Sequence, residues 1–315
     1  MIFYCMKLFN PFDFNDPVTY AIPGFVLLIV VEFVFYIKKK FNPDKNYYKD
    51  AAASIGMGLG SVFIDIAMKA IALGYLLWFY QFRIFDNLGV NSVQEFAYWQ
   101  WHKAHIWVWI LGLFLQDFAF YWHHRLSHEL RILWTAHINH HSSTNLNFAV
   151  ALRQSWLELL YKDAWYIPMA ILGFHPLMIL TLHQLNLIFQ FTTHTEAVKK
   201  LPKWFEAIFN TPSHHRVHHA SNIKYLDKNY AGVFIIWDKL FGTFKAEDEE
   251  KPIYGITKNI DSYNLFYIAF HEWKNMWSDV KKAPTLKAKW NYIFKSPGWS
   301  HNGIDQRAKT LQKNL

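Results

Sequence analysis

Long apolar runs separated by short basic or polar stretches dominate the first two thirds of the chain. Residues 18–37, 51–80 and 105–122 are each apolar over about the 20 residues that a bilayer crossing requires. A fourth apolar region is interrupted at His175 and Pro176, so its halves, 165–174 and 177–193, predict a hairpin of half-helices. No cationic leader with a small-residue cleavage site precedes the first run, which therefore reads as an anchor. After residue 197 the pattern turns polar and basic: residues 204–244 read as a cap, and from Lys281 onward lysines alternate with Trp290, Tyr292, Phe294 and Trp299, a blend suited to a segment on the membrane surface.

The expected fold class is all-α: a multi-pass integral membrane helical bundle with a cytoplasmic histidine-rich cap that holds a dinuclear metal site. Its expected parts are membrane anchor helices over 1–103, a histidine-motif catalytic domain over 104–247 and an amphipathic, basic surface segment over 248–315. A composition of 52% hydrophobic and 19% aromatic residues supports the bilayer as solvent. The net charge of +8 fits anionic lipid better than nucleic acid, because many lysines flank the apolar runs. Lys38, Lys39, Lys40, Lys45 and Lys49 lie between the first two runs, against Arg83 and Lys103 between the next two, which predicts a cytoplasmic first loop. On that topology the third run and the hairpin both deliver their histidines to the cytoplasmic face, in the inner membrane of a bacterium or the endoplasmic reticulum of a eukaryote. Gly56, Gly58 and Gly60 predict close helix packing, and Asp65 with Lys69, one turn apart, predicts mutual neutralisation within the bundle.

Chemistry enters with the histidines. Eight fall in three tight groups: His124 and His128 in HRLSH, His137, His140 and His141 in HINHH, and His215, His218 and His219 in HRVHH. Spacings of three and four put each group on one helical face, while the neighbours His140 and His141, or His218 and His219, diverge by about 100° and can serve different ions. His194 joins from the hairpin, whereas His183, about 16 Å further along that helix, does not reach. Asp117, on the face of His124, is a candidate to hold a ligating imidazole, balanced against a packing role, and Tyr121 and Glu129 are further supporting candidates. His102, His105, His175, His271 and His301 read as ordinary hydrogen-bonded histidines, as do His123 and His214 beside the motifs. The single cysteine, Cys5, excludes thiolate-ligated zinc and iron–sulfur sites. No HExxH occurs, and no glutamate is followed three residues later by histidine, so neither a metalloprotease helix nor a carboxylate-bridged di-iron bundle fits.

The ordered set HxxxH, HxxHH, HxxHH resembles the fatty acid hydroxylase and sterol desaturase superfamily of membrane di-iron oxygenases. The stretches DFAFYWHHRLSHE, HINHHSSTNLNFAVALRQS, HHRVHHASNIKYLDKNYAGVFIIWDKLFGTF and FKSPGWSHNG are most similar to its alkylglycerol monooxygenase branch with bacterial members. The resemblance implies two iron ions held by His124, His128, His137, His140, His141, His194, His215, His218 and His219, with molecular oxygen as oxidant. It also implies a lipid substrate, whether fatty acyl, alkyl ether or sterol-like. Electrons are expected from tetrahydrobiopterin or an external donor protein, since no GxGxxG fingerprint or haem attachment sequence occurs. Hydroxylation is the expected outcome. A lipid desaturase on the same site is the near alternative, and a membrane metal transporter or sensor the distant one.

Overall fold

The computed structural model describes residues 17–38, 46–86, 88 and 106–315. Cys5, Lys39, Lys40, Lys45, His102, Lys103 and His105, on which parts of the expected topology rest, lie outside the described residues. Among the described residues every extended element is a helix, and the only β-type pairings are isolated bridges, Phe209 with Phe234 and Ala220 with Tyr254.

Two long helices open the fold, α1 (Pro17–Lys38) and α2 (Tyr47–Tyr80), and both are long and apolar enough to cross a membrane. They expose large apolar side chains along their length, such as Val26, Leu27 and Val31 on α1 and Leu59, Phe63 and Ile66 on α2. Next come α3 (Ile106–Glu129) and α4 (Arg131–His141), followed by an irregular stretch with short 3-10 turns between Val150 and Tyr166. The interrupted apolar region forms α5 (Ile167–Leu172) and α6 (Pro176–Thr193), separated as the Gly173 to Pro176 sequence requires. The halves are unequal: α5 has 6 residues and α6 has 18. A cap of short helices follows, α7 (Lys203–Ile208), α8 (Pro212–His218) and α9 (Ile236–Leu240), then α10 (Leu265–Lys282), α11 (Leu286–Phe294) and α12 (Ala308–Lys313).

The main apolar core joins α2, α3, α5 and α6 through Leu76, Val108, Phe174, Met178 and Leu182. Beside it, a second group of Ile29, Phe148 and Phe191 seats α1 against α6 and the irregular stretch. Glu32, buried near the end of α1, accepts hydrogen bonds from the backbone N–H of Phe148 (2.7 Å) and from the hydroxyl of Thr195. Helix α1 is therefore tied to the loop regions that follow α4 and α6.

The glycines of α2 do allow a close approach, Gly56 to Leu265 at the start of α10 and Gly58 and Gly60 to the irregular stretch. A Cβ at Gly60 would lie 2.6 Å from the Trp156 ring, whose indole N–H donates to the Met57 carbonyl at 3.0 Å. Asp65 pairs with Lys69 at 2.8 Å as expected, and also with Lys162 at 3.1 Å, so the carboxylate links α2 to the irregular stretch. On α6, His183 bonds Tyr166 Oη at 2.9 Å within a buried polar group that includes Gln116 and Asn186. It takes no part in the histidine clusters, as the spacing argument anticipates.

One buried ion pair fixes the base of α2 to the histidine-bearing α4. Arg153, 1% exposed, contacts Asp50 Oδ1 at 3.1 Å and donates to the Asn139 carbonyl and the Ser142 hydroxyl at the end of α4. Removing one partner of such a pair leaves an uncompensated charge. Asp50→Ala is expected to cost about 3–5 kcal/mol, whereas the joint replacement Asp50→Leu with Arg153→Met costs less than the single change. Thermal unfolding in mild detergent tests this; an unchanged midpoint for Asp50→Ala contradicts it.

Candidate metal centre

The geometry begins with three helix ends. His124 and His128 lie one turn apart near the C-terminus of α3, His137, His140 and His141 occupy the last two turns of α4, and α8 starts at Pro212, whose missing N–H is tolerated there, and carries His215 and His218. His194 and His219 directly follow α6 and α8. These ends converge, and the nine histidines separate into two groups. His124, His128, His137, His141 and His218 form one; His140, His194, His215 and His219 form the other, with ligand atoms inside each group all within 4.8 Å. The adjacent pairs split: His140 and His141 go to different groups, as do His218 and His219. The groups share a wall, with the His141 and His219 rings stacked at 4.5 Å and those of His215 and His218 at 5.3 Å.

Within each group the rings meet through Nε2. The separations are 3.0 Å for His124 with His137, 3.3 Å for His137 with His141, 3.1 Å for His140 with His194, 2.9 Å for His194 with His215 and 3.0 Å for His215 with His219. On five of the rings the opposite nitrogen faces an acceptor. His124 Nδ1 donates to the Tyr230 carbonyl at 2.7 Å, His218 Nδ1 to the Lys228 carbonyl at 2.9 Å, and His194 Nδ1 to the Gln190 carbonyl at 2.8 Å. His137 Nδ1 faces Glu158 Oε2 at 3.2 Å, and His128 Nδ1 lies 3.5 Å from Asp227. A carbonyl can only accept, so it fixes the proton on Nδ1 and leaves Nε2 with a lone pair. Lone pairs of several neutral rings therefore point at one another.

A cation between them resolves that repulsion. Two imidazole nitrogens bound at right angles, about 2.1 Å from one ion, stand about 3.0 Å apart, the separation seen here. His128 Nε2 and His218 Nε2 are buried without a hydrogen-bond partner, which a metal would also correct. Burial, reinforced by neighbouring imidazoles, holds the rings of His140, His141, His215 and His219 well below the usual histidine range. Burial likewise lowers His218 to about 3. Neutral rings are the form that binds metal. The donor set is nitrogen-only, which suits iron, zinc, copper or nickel.

The loop that presents two of these carbonyls is itself tightly fixed. Asp227 and Asn229 adopt left-handed backbone with φ of 56°, a conformation that Asp and Asn tolerate better than most residues. The Asn229 side-chain amide donates to the His214 and Lys245 carbonyls, and the Asp238 carboxylate accepts the N–H groups of Tyr230 and Ala231 at 2.8 Å each. Asp117 works on the next turn. It accepts from Val233 N, Phe234 N, Asn186 Nδ2 and Trp237 Nε1 at 2.7 to 3.0 Å. It bonds no imidazole, which corrects the role considered for it: it seats the 233–237 segment against α3 and α6. Gly232 is required in that contact, since a Cβ there would lie 2.6 Å from both Asp117 and Asn186.

Tyr121 and Glu129 are likewise not in hydrogen-bond contact with the clustered rings. Tyr121 bonds Thr243 and Arg125, and Glu129 bonds Arg125, because Arg125, one turn from each, and the cap satisfy them first. The carboxylates beside the rings are Glu158 and Asp227, which helical spacing could not reveal because both come from irregular segments. His123 sits 3.5 Å from Glu158, and His214 packs on Phe244; neither belongs to a group. His175 accepts from Leu177 N at the start of α6, His271 donates to the Ile268 carbonyl and His301 meets Tyr292 Oη at 2.8 Å, all away from the clusters.

Residues 109–243, which hold all nine histidines, match the family model described as Fatty acid hydroxylase. The chain is 39% identical to human alkylglycerol monooxygenase over 307 residues, covering 95% of this chain and 64% of that protein. The histidine-bearing region is thus a fatty acid hydroxylase-type domain. It is also 33% identical over 136 residues to ornithine lipid hydroxylase OlsE of Rhizobium tropici, covering 43% of this chain and 41% of that one. Over 150 residues it is 33% identical to a cholesterol 25-hydroxylase-like protein of Danio rerio, with 44% and 57% covered. The chain spans about three fifths of the alkylglycerol monooxygenases from human and Danio rerio. No solved structure matches it.

The lowered histidines make the metal-free protein acid-sensitive. Between the native values, about 3 for His218, and the unfolded value, about 6.5, the unfolded chain binds more protons than the native one, so stability falls as pH falls through that window. The unfolding midpoint of chelator-treated protein is expected to drop between pH 7.5 and 5.5. A midpoint that holds or rises contradicts the buried neutral cluster.

Proposed function

We propose that this chain is a multi-pass membrane monooxygenase that binds two iron ions and inserts oxygen into a carbon–hydrogen bond of a lipid. The observation carrying the proposal is the division of nine buried histidines into groups of five and four that share a wall. The names of the relatives, an alkylglycerol monooxygenase and hydroxylases of ornithine lipid and cholesterol, support the lipid substrate and favour hydroxylation over desaturation.

His124, His128, His137, His141 and His218 would hold one ion and His140, His194, His215 and His219 the other. When bound, the iron pair would supply the activation of molecular oxygen. The reaction balances as one oxygen atom entering the C–H bond while the other becomes water, consuming two electrons and two protons. The electrons come from a donor outside the chain, a pterin or a reductase. Glu158 and Asp227 hold His137 and His128 in position, and the carbonyls of Tyr230, Lys228 and Gln190 hold His124, His218 and His194. Their common effect is to keep the Nε2 atoms converging.

Access has a visible route. A cavity of about 1170 Å³ reaches His128, His141 and His218, with Trp134 and Ile138 at its inner end, and extends outward between α10 and the 255–262 and 297–311 segments. Its volume accommodates the polar end of a lipid and part of its chain. The lysine-rich first loop and the gathering of all three histidine groups at helix ends support a cytoplasmic location for this site.

Purified, iron-loaded protein with a reductant and ¹⁸O₂ is expected to yield a lipid alcohol that carries one labelled oxygen. An unlabelled alkene as sole product overturns hydroxylation. In parallel, His141→Ala and His219→Ala, one in each group, are each expected to lower iron from about two per chain and to abolish turnover. Turnover retained by either variant contradicts the assigned ligands.

A further inference from the structure

Within the 248–315 segment an amphipathic helix, α10, precedes most of the lysine pattern from Lys281. On α10, Phe266, Phe270, Trp273 and Trp277 follow one another at four, three and four residues, one helical face, and all are exposed, Phe266 at 69%. The stripe beside it, with Ala269, Met276 and Val280, and Ile268 on the far side are buried. On α11, Leu286, Trp290 and Phe294 continue the exposed apolar surface, and α10 and α11 are locked together by Val280, Ala283, Ala288 and Tyr292. Both helices have side-chain caps, Asn264 accepting from Tyr267 N and Thr285 from Ala288 N, so these faces are rigidly presented.

Position and charge identify what covers this face. Leu265 packs against Gly56 of α2, and Phe266 meets the Trp156 ring that covers Gly60. That is where the exposed apolar belt of α2 starts, at Leu59, Val62 and Phe63. The 34 residues of α2 span about 51 Å, well beyond the roughly 30 Å of a hydrocarbon core, so its first turns stand outside the bilayer and α10 leaves it at the boundary. From Leu265 to Lys295 the charged residues are Lys274, Lys281, Lys282, Lys287, Lys289 and Lys295, against Glu272 and Asp279. Both acids pair with Arg131, at 2.9 and 2.8 Å. Tryptophan and phenylalanine flanked by unneutralised lysines match the interface of an anionic bilayer, where the rings sit at head-group level and the ammonium groups reach phosphates.

We propose that α10 and α11 lie in the plane of the membrane as an interfacial platform for anionic phospholipid. The other side of α10 supplies Tyr267, His271 and Asn275 to the cavity that ends at His128, His141 and His218. Resting on the lipid-oxidation reading above, this makes α10 the sill over which a lipid leaves the bilayer for the site.

The test uses the full chain with Cys5→Ser, its sole cysteine, reconstituted in vesicles of phosphatidylcholine and phosphatidylglycerol. Nitroxide labels are placed at Trp273→Cys and Trp290→Cys, with Phe63→Cys on α2 as the lipid reference and Glu249→Cys as the aqueous one. The platform predicts accessibility to oxygen over a nickel chelate between the two references, and deeper insertion with phosphatidylglycerol than with phosphatidylcholine alone. Values equal to the Glu249 site overturn the membrane contact. Exclusion of both reagents with spin–spin broadening also overturns it, in favour of a second copy of the chain. Equal depth in both lipids overturns the role of charge. For the sill, Trp273→Ser with Trp277→Ser is expected to raise KM several-fold for a vesicle-borne lipid and leave it unchanged in micelles; an unchanged vesicle KM overturns it. The label depths are read without turnover, so they stand or fall apart from the oxidation reading.

Discussion

Nine imidazole rings crowded into a water-poor space, with lone pairs facing inward, form the constraint on which the rest of the structure depends. Without a cation the Nε2 atoms of His124 and His137 repel one another at 3.0 Å. Protonation cannot relieve the whole cluster, because burial opposes each added charge. The protein maintains the arrangement by spending its outer polar groups on the far side of the rings: carbonyls of Tyr230, Lys228 and Gln190, and carboxylates of Glu158 and Asp227. A metal-ready site thus emerges from backbone that has no ligand of its own.

This accounts for the investment in loops. The 227–238 segment contributes no clustered histidine, yet Asp238, Asn229 and Asp117 fix it through a series of buried hydrogen bonds. On the other side, Arg153 and Asp50 anchor the end of α4 to α2, and Glu32 ties α1 to the segments that follow α4 and α6. The helices that present an apolar surface and the segments that aim the rings are therefore mechanically one unit. The proposed membrane placement and the proposed chemistry depend on the same buried contacts.

Helical arithmetic made much of this legible in the sequence. Spacings of three and four brought the histidines to common faces, the adjacent pairs separated as a 100° step requires, and the break at His175 and Pro176 divided the apolar region where expected. His183 was excluded by distance along α6 alone. The carboxylates and carbonyls behind the rings were not legible, because contacts such as Glu158 with His137 or Tyr230 with His124 join irregular segments to helices far away in sequence. Asp117 shared a face with His124, but its oxygens were claimed by Val233, Phe234, Asn186 and Trp237, which periodicity could not anticipate. The α2 glycines pointed to close helix packing, met at Gly56 by Leu265 of α10, without revealing that Leu152 and Trp156 of the irregular stretch fill the gaps at Gly58 and Gly60.

X-ray absorption at the iron edge of the purified, metal-loaded protein tests the central claim most directly, because it reads the atoms around the ion rather than the product. The account predicts a nitrogen-dominated shell at about 2.1 Å with the multiple-scattering pattern of several imidazoles. A sulfur-containing shell, a shell of oxygen without imidazole scattering, or protein that retains no iron would contradict it.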